Sequence, residues 1–202
     1  MDSQDRRRQR GDRTRRAVAT RAAALASLDG LAGMTMGQLA DALGVAKSSV
    51  QAAYRTKEDL QLAAVGAATE TFVAEVVAPA QAQAEGLPRL RALVDAWLSY
   101  VERRVFPGGC FMVATLSEFD SRPGPVRDAL AAARQAWLGL LEDEAAAAQT
   151  AGEIPDVPDA AMVAFEIDAL LAAANVSRNL TDDTAPLDRA RSLIALRLGA
   201  TP

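Results

Sequence analysis

TMGQLADALGVAKSSVQAAYRTKEDL, residues Thr35–Leu60, reads as two short helices joined by a tight turn. The first is predicted over Met36–Leu43 and the second over Lys47–Tyr54. Leu39, Ala40 and Leu43 share one face of the first helix, at the steps of one and three to four that a helical repeat needs. Val45, Ser49, Val50 and Tyr54 form the matching inner face across the turn. Gly44 stands where a helix that ends in a left-handed residue takes glycine, because no Cβ opposes the positive φ. Thr35 precedes the first helix as its N-cap, with a hydroxyl able to satisfy an orphan backbone N–H. A short helix, a glycine turn and a second short helix with small polar residues outward is the helix-turn-helix plan. The second helix of such a pair enters the DNA major groove.

This stretch resembles the DNA-binding signature of the TetR family of bacterial transcriptional regulators. The resemblance rests on Thr35 and Met36, Leu39-Ala40, Gly44-Val45, Lys47, Tyr54, Lys57-Glu58 and Leu60. It spans about the first third of the chain. Ala46 departs from the Ser or Thr that usually opens the family's recognition helix. Gln51, Ala52 and Ala53 stand where an aromatic followed by His or Tyr is usual. Further on, GGCF at Gly108–Phe111, followed by EFDSRPGPVRD at Glu118–Asp128, is similar to a subset of TetR-type C-terminal domains.

The resemblance implies an all-α fold. A three-helix DNA-binding domain is followed by a helical bundle for ligand binding and dimerisation, about nine helices in all. The expected division is a disordered basic arm at 1–11, the helix-turn-helix domain at 12–56, and the effector-binding and dimerisation domain at 57–202. The implied function is that of a ligand-responsive repressor, released from a palindromic operator by a small apolar molecule. The implied assembly is a homodimer through the last two helices. Two alternatives stay open: a constitutive DNA-binding protein without an effector, and a helical small-molecule-binding protein with weakened DNA binding.

Charge supports the same polarity. Residues 1–60 carry 11 Lys and Arg against 7 Asp and Glu, a net of +4. The whole chain has 22 basic and 26 acidic residues, so residues 61–202 hold 11 and 19, a net of −8. A basic N-terminal third on an acidic body turns that third toward phosphates and repels the rest. Eight Arg fall within residues 1–21. Residues 1–11 are polar and Arg-rich, which predicts disorder in the free chain and an arm that gains affinity on phosphates.

The remaining helices follow from apolar spacing. The first runs from about Asp12 to Leu28, with Val18, Ala22, Leu25 and Ala26 as its buried stripe. Thr56 caps a fourth helix, with Asp59 as the return partner of a capping box. That helix extends to about Val77, where Pro79 stops it. Further helices are expected near Leu87–Val101, Cys110–Phe119, Val126–Gln149, Asp159–Leu180 and Thr184–Leu198. The last two are apolar on more than one face, so each needs two partners. Glu142, Asp143 and Glu144 read as a solvated charge run. No apolar run is expected to span a membrane. The single cysteine, Cys110, rules out an intramolecular disulfide and fits a cytoplasmic protein.

There is no histidine. That removes Ser-His-Asp and Cys-His catalysis, HExxH zinc sites and His-based acid–base work together. No phosphate-binding glycine motif is present, and Glu118 with Asp120 has no nucleophile or metal partner beside it. The chain is therefore read as no enzyme, with no cofactor and no metal. The base-edge candidates are Ser48, Ser49 and Gln51, since Gln can bond adenine in a bidentate way. The phosphate candidates are Thr35, Lys47, Tyr54, Arg55 and Lys57. Trp97, Tyr100, Phe111, Met112, Trp137 and Phe165 are the large side chains of an otherwise Ala- and Val-rich body, and they are the expected effector contacts.

Overall fold

The computed structural model describes residues 3–156 and 158–199, the first eight of these by backbone alone. Among the described residues there is no strand, and nine helices follow one another when the run Lys57–Ala80 is taken as one. They are α1 (Ser3–Asp29), α2 (Met36–Leu43), α3 (Lys47–Ala53), α4 (Lys57–Ala80), α5 (Leu87–Glu102), α6 (Phe111–Phe119), α7 (Pro125–Thr150), α8 (Ala160–Thr181) and α9 (Ala185–Arg197). The chain forms two compact units. Among the described residues, one comprises 3–70 and 106–130, the other 71–105, 131–156 and 158–199.

The helix-turn-helix lies in the first unit and is closed by local hydrogen bonds. Thr35 Oγ1 accepts from Gln38 N at 3.2 Å, and Gln38 Oε1 accepts from Thr35 N at 3.0 Å. This reciprocal box satisfies two backbone donors at the start of α2. At its far end Gly44 has φ 64°. Val45 N donates to Ala40 O at 3.0 Å, and Gly44 N donates to Asp41 O at 3.1 Å. That pair of bonds is the Schellman closure, which needs the left-handed residue in the middle. Thr56 and Asp59 repeat the box at the start of α4, with bonds of 2.9 and 3.1 Å. Ala46 gives α3 no side-chain cap.

α1 is longer than the sequence pattern suggests. Its backbone is helical from Ser3, so the expected disordered segment is helical over every residue described, while Met1 and Asp2 lie outside the described residues. Arg and Gln are good helix formers, and propagation from an existing helix avoids the cost of nucleation. Pro79 is likewise absorbed: a π turn at Val73–Val77 precedes it and the helix runs on to Ala80. The inner face of the helix pair is narrower than expected, because Val50 and Tyr54 are buried while Val45 and Ser49 are exposed.

Two further expectations are corrected in the helices. Glu142 and Asp143 are exposed, but Glu144 is buried, and accepts from Gly86 N at 2.9 Å and from Arg89 Nη1 at 3.0 Å. Three successive helical residues sweep about 200° of the helix surface, so a run of three cannot share one solvated face. The second concerns apolar length: Lys57–Ala80 and Ala160–Thr181 are both long and apolar enough to cross a membrane by composition. The second of them buries Asp168, Asn175 and Arg178 on one face, a pattern suited to packing against other helices.

Candidate nucleic-acid interface

The second helix of the helix-turn-helix is α3. Val50 is wholly buried and fixes its orientation. At 100° per residue Ser48 and Ala52 point directly away from Val50, with Gln51 and Ser49 on either side. Lys47, Ser48, Ser49, Gln51 and Arg55 are all exposed. The three base-edge candidates and two of the phosphate candidates are therefore all open to solvent. Thr35 is exposed, but its hydroxyl also donates to Gln38 Oε1 at 2.8 Å, so it serves the cap. Lys57 is exposed and its ammonium donates to Ala32 O.

Tyr54 stands apart from the other phosphate candidates. It is 6% exposed, and its hydroxyl donates to Arg15 O at 3.0 Å. The Arg15 guanidinium lies over its ring, 5.2 Å from the centroid. Tyr54 thus ties the end of α3 to α1, as a core residue that positions the helix. Arg13 and Arg16, on the same helix, are exposed and enlarge the basic surface.

The six expected effector contacts do not share one unit. Phe111 and Met112 belong to the first, where Phe111 is buried with its ring 6.2 Å from that of Phe106. Trp97, Tyr100, Trp137 and Phe165 belong to the second. Within it, Phe72 meets Tyr100 at 5.8 Å and Trp137 at 5.1 Å, both edge-on. Phe72 was missed in the sequence because it reads as one more apolar helix position. Trp97 is also buried.

Trp137 Nε1 donates to Asp168 Oδ1 at 3.2 Å, and Arg134 pairs with Asp168 at 2.7 Å. An acid between Ile167 and Ala169 in the apolar run of α8 was the available signal for that cluster. Phe165 is corrected: it is 65% exposed and borders a surface groove with Met162, Glu166 and Arg197. It lies across the helix from buried Ile167, Leu171 and Arg178. Arg178 is buried and donates to Glu102 O at 3.1 Å. Burial, then the neighbouring Arg104, pushes its guanidinium below the usual arginine range. Among the described residues no group of three or more acids and thiols could hold a metal ion.

The family model described as "Tetracyclin repressor-like, C-terminal domain" matches residues 86–194, more than half of the chain. The chain belongs to the TetR family. A TetR transcriptional regulator from Chloroflexus aurantiacus J-10-FL is similar at 26% identity, over 93% of this chain and 95% of that one, with a TM-score of 0.85. A TetR-family regulator from Agrobacterium tumefaciens shares the fold at 16% identity and a TM-score of 0.84, over 93% of this chain and 98% of its own. AibR, solved in complex with isovaleryl coenzyme A and operator DNA, shares it at 21% identity and a TM-score of 0.76, over 92% and 98%. No curated protein matches the sequence. The helix-turn-helix is thus that of a TetR-family transcription regulator.

Proposed function

We propose that this protein is a homodimeric, ligand-responsive repressor that binds a pseudo-palindromic operator in the cytoplasm. The observation that carries the reading is the outward face of α3, where Ser48, Ser49 and Gln51 stand exposed beside Lys47 and Arg55 on a helix anchored by Val50 and Tyr54. In this reading residues 12–56 contact DNA, and residues 57–202 bind effector and dimerise. Arg13 and Arg16, exposed on α1, add phosphate contacts. Ser48, Ser49 and Gln51 meet base edges, and Lys47, Arg55 and Lys57 lie against phosphates, while Thr35 serves the cap of α2. Tyr54 holds the helix in place.

Dimerisation is assigned to α8 and α9. Met162, Phe165, Val176 and Leu180 leave one face of α8 apolar and exposed, and Leu193 and Leu196 do the same on α9. An apolar stripe of this extent on a regulator that must span two half-sites suits a second copy of the chain. The effector is a small, mostly apolar molecule received among Trp97, Tyr100 and Trp137, with Phe72 beside them and Asp168 as a polar contact. Effector and operator would favour different conformers, so each must weaken the other's binding by the same factor.

Two alanine variants test the reading. Gln51→Ala should cost about 1–3 kcal/mol on the operator and relax preference at one position per half-site. Lys47→Ala should weaken all sequences alike and lower the salt dependence by about one unit of slope. Equal effects of both variants on operator and random DNA would rule out base reading by α3.

A further inference from the structure

The connection between α1 and α2 is held from two sides. Leu31 N and Ala32 N donate to the two carboxylate oxygens of Glu118 on α6, at 2.8 and 2.7 Å. The carbonyls of the same two residues accept from α4. Leu31 O accepts from Gln61 Nε2 at 2.9 Å, and Ala32 O from Lys57 Nζ. Every backbone polar group of this dipeptide is therefore committed to a side chain far away in sequence. Gln61 is 7% exposed, so its bond is shielded from water.

The fit around the dipeptide is close. Gly30 has φ 81°, and a Cβ there would lie 2.8 Å from Glu118 Oε1. A Cβ on Gly108 would lie 1.8 Å from Ser27 O. Gly108 N donates to Ser27 Oγ at 3.0 Å, so the end of α1 is joined to the approach to α6 as well. Ordinary surface loops satisfy such groups with water and keep their freedom. Here a carboxylate accepts two charge-assisted bonds, which fix direction as well as distance.

The dipeptide leads through Gly33–Thr35 into α2, whose two ends are both capped. The Schellman turn then carries that rigidity into α3. A displacement at Leu31–Ala32 consequently moves the recognition helix as a body. We propose that Glu118 is a positioning residue for operator recognition: together with Gln61 it holds Leu31–Ala32 at the angle that presents α3 to the groove. The proposal rests on the reading of the protein as an operator-binding regulator.

The test uses the full chain with Glu118→Gln, Gln61→Met and the double variant. Binding is measured on an operator fragment selected by the wild type and on an unrelated duplex of the same length. Both substitutions nearly conserve volume, and circular dichroism checks that the helices persist. Each single variant should weaken operator binding about ten-fold, within the usual span of such couplings. Binding to the unrelated duplex should stay within about two-fold, because phosphate contacts do not read sequence. Amide exchange at Leu31 and Ala32 should quicken. The double variant should lose about as much as the larger single, because two groups that hold one dipeptide are not independent.

Wild-type operator affinity in both singles, alongside faster exchange, would overturn the proposal and leave Glu118 as a brace for the fold alone. Losses that multiply in the double variant would overturn it too. A wild type that selects no fragment sinks the operator reading itself, and the positioning role with it. If Glu118→Gln does not fold, Glu118→Asp replaces it with the same expected loss: it keeps the charge but is one methylene too short to meet both N–H groups.

Discussion

Tyr54 shows how the structure decides between two roles that the pattern leaves open for one residue. The sequence sets it both on the inner face of the helix pair and among the phosphate candidates, and its hydroxyl is given to Arg15 O inside the first unit. Tyr54→Phe should therefore lower stability by about 1 kcal/mol, the ordinary worth of one buried hydrogen bond. Operator affinity should fall modestly, because α3 loses one of its ties to α1, while the salt slope stays unchanged. A flatter salt slope in that variant would restore the phosphate role. Arg178 poses the opposite case. Its Nε and Nη1 are buried without a hydrogen-bond partner, and only Nη2 is satisfied. A buried charge so poorly paired is often no better than an apolar side chain of similar size. Arg178→Met should leave the melting temperature unchanged or raise it. A drop of several degrees would mean that the guanidinium has a full set of partners in the working protein. Residues whose partners are near in sequence were legible. Thr35 and Thr56 find their caps three residues away, so spacing alone identifies them. Glu118 was not, because Leu31 and Ala32 are 87 and 86 residues distant and nothing in the sequence marks the pairing.

The helices were legible wherever an apolar stripe meets a stop signal, and less so at ends set by context. α2 and α6 keep the bounds read from the sequence to within a residue, since Gly44 and the Pro107-Gly108-Gly109 break are local. α1 overran its expected start by nine residues, because nothing at Gly11 or Asp12 forbids a helix already nucleated. α8 carries the larger lesson. Its apolar residues cover two faces, and apolar content alone does not say which face packs inside. Ile167, Leu171 and Ala174 are buried, whereas Phe165 and Leu180 are 65% and 81% exposed. Phe165 thus moves from the expected effector contacts to the exposed apolar face proposed for dimerisation. Phe165→Asp or Leu180→Asp should turn the dimer into a monomer in sedimentation equilibrium without loss of helix. Operator binding should fall at least ten-fold, because one protomer spans a single half-site. A dimer that survives both changes would place the interface elsewhere.

At the scale of the whole molecule, the distribution of charge matters more than its sum. The net of −4 hides a basic N-terminal third and an acidic remainder. Only the former can approach a phosphate backbone closely, and the acidic remainder disfavours other orientations on DNA. Affinity for any duplex should therefore fall steeply with salt, and the specific complex should outlast the non-specific one. The most direct measurement is recovery of genomic DNA fragments by the purified protein at two salt concentrations. The account predicts one pseudo-palindromic sequence, retained at the higher salt, with half-sites about one helical turn apart or a multiple of it. Recovery of unrelated fragments that all wash off at the higher salt would contradict it, and would mean that the face formed by Ser48, Ser49 and Gln51 does not read bases.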